Sequence, residues 1–388
     1  MRTLLLSSGA AMIAAATLLH CASNDDEQRT PDAAETGASE TSSPADAAPA
    51  DADADASVVL HDGGDAGGCS PDHWCRVGLP TKDFDLKSVW SFGPDDALAV
   101  GDTGMVRWDG KAWSIVPGGD GGFEGLSSLW SGSTNEIWAV GQGQRRLVHG
   151  TRSATGAAFT FTTTEVTTGP TRDTITGLAP NDLWLTGLED DGTPRILHGV
   201  AGGDGGAPTF SSVAISAAPF PLTSLSALLV TANDELWLAG TSNAAVVLHA
   251  RKNGASFVWD QSFTAAGQAS NNFGALWGDG PTDVFVLGAL TDNFHRTALP
   301  DGGGVWGPHP NHSNTVLTSV WGTSKSDVWA VGYLGAIRHW DGATWKLSQI
   351  AVDGLPIYED LIAVRGSSAN DVWAVGTGVA LHRTGGKP

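Results

Sequence analysis

Tyrosine and basic residues are what this chain has least of. Two Tyr, three Met and three Cys occur in 388 residues, and 21 Lys and Arg face 42 Asp and Glu. A formal charge of −21 removes the basic footprint that nucleic acid demands, so no nucleic-acid partner is expected. Beyond the N-terminus no apolar run approaches the ~20 residues of a bilayer span. Enzyme signatures are missing too. There is no His-Glu-x-x-His, Gly-x-Ser-x-Gly or Gly-x-x-x-x-Gly-Lys, so no catalytic residue and no bound cofactor are predicted.

What is abundant is Gly and Trp, 51 and 16 residues. Such a bias points to one motif copied many times. The clearest copy runs Leu317-Thr-Ser-Val-Trp-Gly-Thr-Ser-Lys-Ser-Asp-Val-Trp-Ala-Val-Gly332, followed by Ala336–Trp340 and Thr344–Ile350. It reads as four strands, around Val320-Trp321, Val328–Val331, Ala336–Trp340 and Thr344–Ile350, with Asp341-Gly342 as a hairpin turn. The glycine closing the second strand recurs at Gly101, Gly141, Gly187, Gly240, Gly288, Gly332 and Gly376, at intervals of 40, 46, 53, 48, 44 and 44 residues. That is the period of a propeller blade. The second strands, such as Ile137-Trp138-Ala139-Val140, are apolar on both faces, as a sheet packed between two others requires.

The fold class predicted is therefore all-β, a seven-bladed β-propeller of four-stranded antiparallel blades over residues 69–388. The last frame stops after its third strand, at Leu381-His382-Arg383, while His73–Pro80 resembles a fourth strand. The N-terminal segment is expected to supply that outer strand and close the ring, removing mismatched edges. Most tryptophans fall at equivalent strand positions and are read as core.

Met1-Arg2-Thr3 followed by the uncharged Leu4–Leu19 is a secretory signal over residues 1–20. Leu18-Leu19-His20-Cys21 resembles a bacterial lipobox, although His20 stands where a small residue is usual. The resemblance implies a lipidated Cys21, a membrane anchored through lipid only, and an outer-membrane lipoprotein at the cell surface or periplasmic face, with plain secretion as the alternative. Residues 21–68 form an acidic linker with twelve Asp or Glu after Cys21 and a single Arg. It holds too little apolar surface to order itself. Cys69 and Cys75 remain as a pair that an oxidising compartment would bridge.

The Val-Trp-Ala-Val-Gly frame with Trp-Asp-Gly-x-x-Trp resembles a repeat of uncharacterised exported bacterial propellers, often lipoproteins. It is distantly similar to the superfamily of sialidase-like and WD-repeat propellers. The resemblance spans residues 73–388 and implies a fold more than a function. A sialidase-like site would need an arginine triad and a tyrosine nucleophile; the Arg-Ile-Pro start is missing, and only Tyr333 and Tyr358 exist.

Candidate sites follow from the frame. An acidic residue precedes each second strand: Asp96, Glu136, Asp182, Glu235, Asp283, Asp327 and Asp371. Such a ring could hold calcium, but its repetition points to turn chemistry. His149, His198, His249, His339 and His382 recur in third strands, too far apart to share a metal. No metal site is predicted. Arg365 stands where other first strands carry Trp, and is expected to meet a neighbouring carboxylate or an anion. Arg145, Arg146 and Arg195 lie between second and third strands, toward one rim. Insertions at Gly150–Pro170, Glu189–Pro194, Gly199–Pro208 and Thr264–Asn272 are read as loops able to carry specificity. The function expected is a monomeric cell-envelope scaffold binding a protein or glycan. The alternative is a hydrolase or lyase acting on polysaccharide or peptide in the central channel.

Overall fold

The computed structural model describes residues 68–385, apart from short stretches at 119–121, 166–168, 201–207, 216–221, 232–234, 265–272, 281, 289–292, 301–302, 310–314 and 353–354. The signal segment, Cys21 and most of the linker lie outside the described residues, as do parts of the Gly199–Pro208 and Thr264–Asn272 insertions.

Strand β1 is Trp74–Arg76. The first blade follows as β2 (Leu86–Gly93), β3 (Asp96–Gly101), β4 (Gly104–Trp108) and β5 (Trp113–Ile115). The second holds β6 (Ser128–Trp130), β7 (Glu136–Val140), β8 (Arg146–Thr151) and β9 (Thr160–Glu165). The third holds β10 (Thr174–Ala179), β11 (Asp182–Leu188), β12 (Pro194–Val200) and β13 (Thr209–Val213). The fourth holds β14 (Ser224–Thr231), β15 (Glu235–Thr241), β16 (Ala245–Asn253) and β17 (Ser256–Thr264). The fifth holds β18 (Phe273–Gly278), β19 (Val284–Gly288), β20 (Phe294–Ala298) and β21 (Gly304–Pro308). The sixth holds β22 (Leu317–Ser324), β23 (Asp327–Gly332), β24 (Ala336–Trp340) and β25 (Trp345–Leu347). The seventh holds β26 (Leu361–Ser368), β27 (Asp371–Gly376) and β28 (Val379–Thr384), completed by β1 in the order β1-β28-β27-β26.

The described residues form a seven-bladed β-propeller. The first strands β2, β6, β10, β14, β18, β22 and β26 contact one another in sequence, and β26 returns to β2. The second strands are buried almost throughout, as in β3, β19 and β27. Each apolar cluster joins two blades: Leu86, Ala99 and Trp113 pack with Trp373 and Val375 of the seventh blade. The ring closes at β1, where Trp74, Cys75 and Arg76 pair antiparallel with Arg383, His382 and Leu381. Trp74 is fully buried beside Trp329 and donates from Nε1 to Ser348 Oγ at 3.0 Å, tying β1 to the sixth blade. The Cys69–Cys75 disulfide closes the loop just before it.

The frame glycines answer to close backbone approach. A Cβ on Gly101, Gly187, Gly332 or Gly376 would run into the carbonyl oxygen of Asp85, Thr171, Val316 or Asp360, the chain entering the first strand of the same blade. Any side chain there would push that strand out of register. Two expectations need correction. The first and second strands reach further than read, to Leu317–Ser324 and Asp327–Gly332, whereas the fourth is trimmed to Trp345–Leu347. The Gly150–Pro170 insertion is not a free loop: it contains β9, which pairs with β8 as the outer strand of the second blade.

Candidate functional site

In six blades the carboxylate before the second strand faces a histidine of the third, and in five of these the two are hydrogen-bonded. His198, His295 and His339 reach Asp182, Asp283 and Asp327 through Nε2 at 2.6 Å. His382 reaches Asp371 at 2.7 Å, His249 reaches Glu235 at 3.1 Å, and His149 lies 3.7 Å from Glu136. A carboxylate only accepts, so the hydrogen-bonded imidazoles carry their proton on Nε2. Each ring also stacks on the aromatic residue of the second strand, with centroids between 3.7 Å for Trp138–His149 and 4.1 Å for Trp184–His198. The hydrogen bond from His339 pulls Asp327 below the usual carboxylate range. Burial alone would raise Asp371, but hydrogen bonds from His382, Ser367 and Ser91 outweigh it and leave that group low. His249 is pushed down by burial despite Glu235.

The first blade varies this unit. Leu98 replaces the aromatic, and Asp96 meets Arg107 at 3.2 Å and Arg152 of the second blade at 2.5 Å. The Arg152 guanidinium packs against both Phe92 and Phe159, 4.5 and 4.4 Å from their centroids, and these two rings touch each other with centroids 5.5 Å apart. Six of the seven carboxylates are thus hydrogen-bonded or ion-paired to a side chain within or between blades rather than serving mainly as turn acceptors, while Glu136 keeps a buried Oε1 without a hydrogen bond. No group of side chains suited to a metal occurs among the described residues.

The four candidate arginines have separate fates. Arg145 donates to Gly169 O at 2.5 Å and pairs with Asp190. Arg146 is buried and bonds Glu124 O at 2.5 Å and Gly122 O at 3.3 Å. Arg195 reaches Glu189 Oε1 at 3.1 Å. These three brace the loops of one rim. Arg365 differs. It makes no ion pair or hydrogen bond among the described residues, and its guanidinium lies on the Trp90 ring, 3.8 Å from the centroid. The expected carboxylate partner is not found among the described residues, and the acid of its own frame, Asp371, is taken up by Ser91, Ser367 and His382.

A feature not read from the sequence lies on the rim of the sixth and seventh blades. The β23–β24 turn carries Tyr333 and Leu334, 41% and 67% exposed, and the connection into β26 carries Leu355 and Tyr358, 71% and 69% exposed. The two segments meet: Gly335 N donates to Glu359 O at 3.0 Å and Leu334 N to Asp360 Oδ1 at 2.9 Å. Leu334 sits at φ 56°, a conformation costly for any residue with a Cβ. Around the rim follow Asp83, Asp85 and Asp102, against Lys82 and Lys87, linked by Thr377 N to Asp360 O and Asp102 N to Asp85 O. A cavity of about 290 Å³ lies elsewhere, at the closure, lined by Asp72, His73, Trp329, Lys346 and Arg383 among others.

No family model and no curated sequence matches the chain. Solved structures do. One described as YCF48 bound to D1 peptide superposes with a TM-score of 0.59 at 13% identity, over 83% of this chain and 98% of that one. The WD40 β-propeller domain of Doa1 gives 0.52 at 14%, over 80% and 96%. The extracellular domain of the putative one-component system BT4673 of B. thetaiotaomicron gives 0.57 at 12%, over 80% of this chain and 39% of that one. At such identity the likeness is one of fold.

Proposed function

We propose that this protein is a lipid-anchored envelope scaffold whose propeller binds a protein partner through the Tyr333–Leu334 and Leu355–Tyr358 rim. The carrying observation is that both tyrosines of the chain and two strongly exposed leucines converge on one patch. Isolated exposed apolar residues need no explanation, but a grouped patch marks an interaction surface. Leu334 held outward in a costly backbone conformation supports this reading. The carboxylates beside it favour a segment that is apolar with cationic flanks. A structural neighbour described with a bound peptide supports a peptide-like ligand. Apolar side chains that project from the rim suit a scaffold better than the hydrolase or lyase alternative. Cys21 is the proposed anchor and the acidic linker the tether.

Two measurements test this. Labelled palmitate should enter the full chain expressed in a Gram-negative host and be lost in Cys21→Ser. Leu334→Gly with Tyr358→Ser should fold normally, because glycine relieves the positive φ by about 1 kcal/mol. That variant should lose the envelope proteins that the native chain cross-links. Identical cross-linked species from both proteins would refute the rim; retention through glycan, abolished by glycosidase, would replace protein with glycan.

A further inference from the structure

We propose that the Arg365–Trp90 junction, at the inner ends of the seventh and first blades, binds a small oxyanion, a carboxylate or a phosphate group. This site is independent of the rim. At this position of the frame the other first strands carry Trp90, Trp130, Thr176, Leu229, Trp277 and Trp321. The packing they use is visible: Trp321 lies against Gly366 of the next blade, Trp277 against Gly322, and Trp130 against Gly177. At the junction of blades seven and one both halves of that lock are changed. Arg365 replaces the indole, and Ser91 replaces the glycine. Ser91 Oγ donates to Asp371 at 2.5 Å and lies 3.1 Å from Gly93 O, so its side chain is held in place at the position that is glycine in the locks above.

The result is a cation without a counter-ion among the described residues. Charges taken out of water are ordinarily paired, because desolvating a lone ion is costly. Burial pushes Arg365 down to about 10, with no carboxylate acting against it. Part of the residue stays open, since Arg365 is half-buried rather than sealed. Trp90 covers one face of the guanidinium. Stacking of that kind leaves the N–H edge free, and the edge is the group that matches an oxyanion with two parallel hydrogen bonds. The other three arginines considered above have spent their edges on loops.

The test uses the folded chain with inorganic phosphate and acetate as separate probes, against chloride at equal ionic strength. Calorimetric titration and thermal melting should show saturable binding of at least one oxyanion and a rise in Tm that chloride does not produce. Arg365→Met should abolish both. Arg365→Lys keeps the charge but not the planar edge, and should bind roughly tenfold or more weakly. Phosphate binding alone would identify a phosphate group; acetate binding would identify a carboxylate. Equal Tm shifts in the native chain and Arg365→Met, or no heat with either oxyanion, would overturn the proposal. Neither result bears on cross-linking at the rim.

Discussion

Replacing Trp74 by alanine tests the closure of the ring most directly. Trp74 belongs to a three-residue strand, yet it is 0% exposed, meets Trp329 edge-on at 5.5 Å and donates to Ser348. Truncating a buried Trp costs ~3–5 kcal/mol. Losing its hydrogen bond adds ~1 kcal/mol, and no more, because Ser348 keeps Asp72 as a partner. The sum is ~4–6 kcal/mol. An unfolding entropy of ~2.1 cal/mol/K per residue over residues 68–385 gives ~0.7 kcal/mol/K, so Tm should fall by ~6–9 °C. The control is Ile115→Ala, in the corresponding outer strand of the first blade but 55% exposed; it should shift Tm by about 1 °C or less. Circular dichroism melts of both variants, with size-exclusion chromatography to detect pairing at the uncovered edge of β28, are the assay. If Trp74→Ala melts within ~2 °C of the native chain, β1 is not what holds the ring shut.

Other outcomes follow from the same geometry. Cys69→Ser with Cys75→Ser opens a loop with a sequence separation of 6 and should cost ~2 kcal/mol, seen as an earlier urea midpoint that reductant reproduces in the native chain. Asp371→Ala strands Ser91, Ser367 and His382, so ~3–5 kcal/mol should be lost in denaturant titration, with a loss under 1 kcal/mol counting against the buried network. His309 is pushed down to about 4 by burial, with His295 beside it. The unfolded chain takes up that proton near pH ~6.5 and the folded chain only near 4, so stability should fall as pH drops through this window. His309→Phe should flatten that part of the pH–stability curve; an unchanged slope would show that another group governs it.

Blade number, strand order and the borrowed closing strand were all legible in the residues. A blade is a local unit: its glycine, its doubly apolar second strand and its hairpin turns lie within about 45 residues and act on one another directly. The partner of β28 could be found because the last frame lacked one strand and the first had one to spare. The acid and histidine series were also visible, but as two separate rings. That they form one stacked unit depends on register, since Trp373 opposes His382 and Trp329 opposes His339 across the strand pair. His295 escaped notice because its blade has Phe285 in place of the tryptophan, although the stack at 3.9 Å is the same.

Sequence by itself determined the repeat, and with it the fold, because the repeat is written in short-range spacing. Tertiary structure alone decided which of its irregularities stand free. Arg145, Arg146 and Arg195 looked as available as Arg365, until the folded loops brought carbonyls and carboxylates to the first three and, among the described residues, an indole to the fourth. Tyr333 and Tyr358 are 25 positions apart in the chain; they share a rim because Gly335 and Leu334 bond to Glu359 and Asp360 across two blades. Contacts between blades depend on how the ring closes, and no local pattern records them.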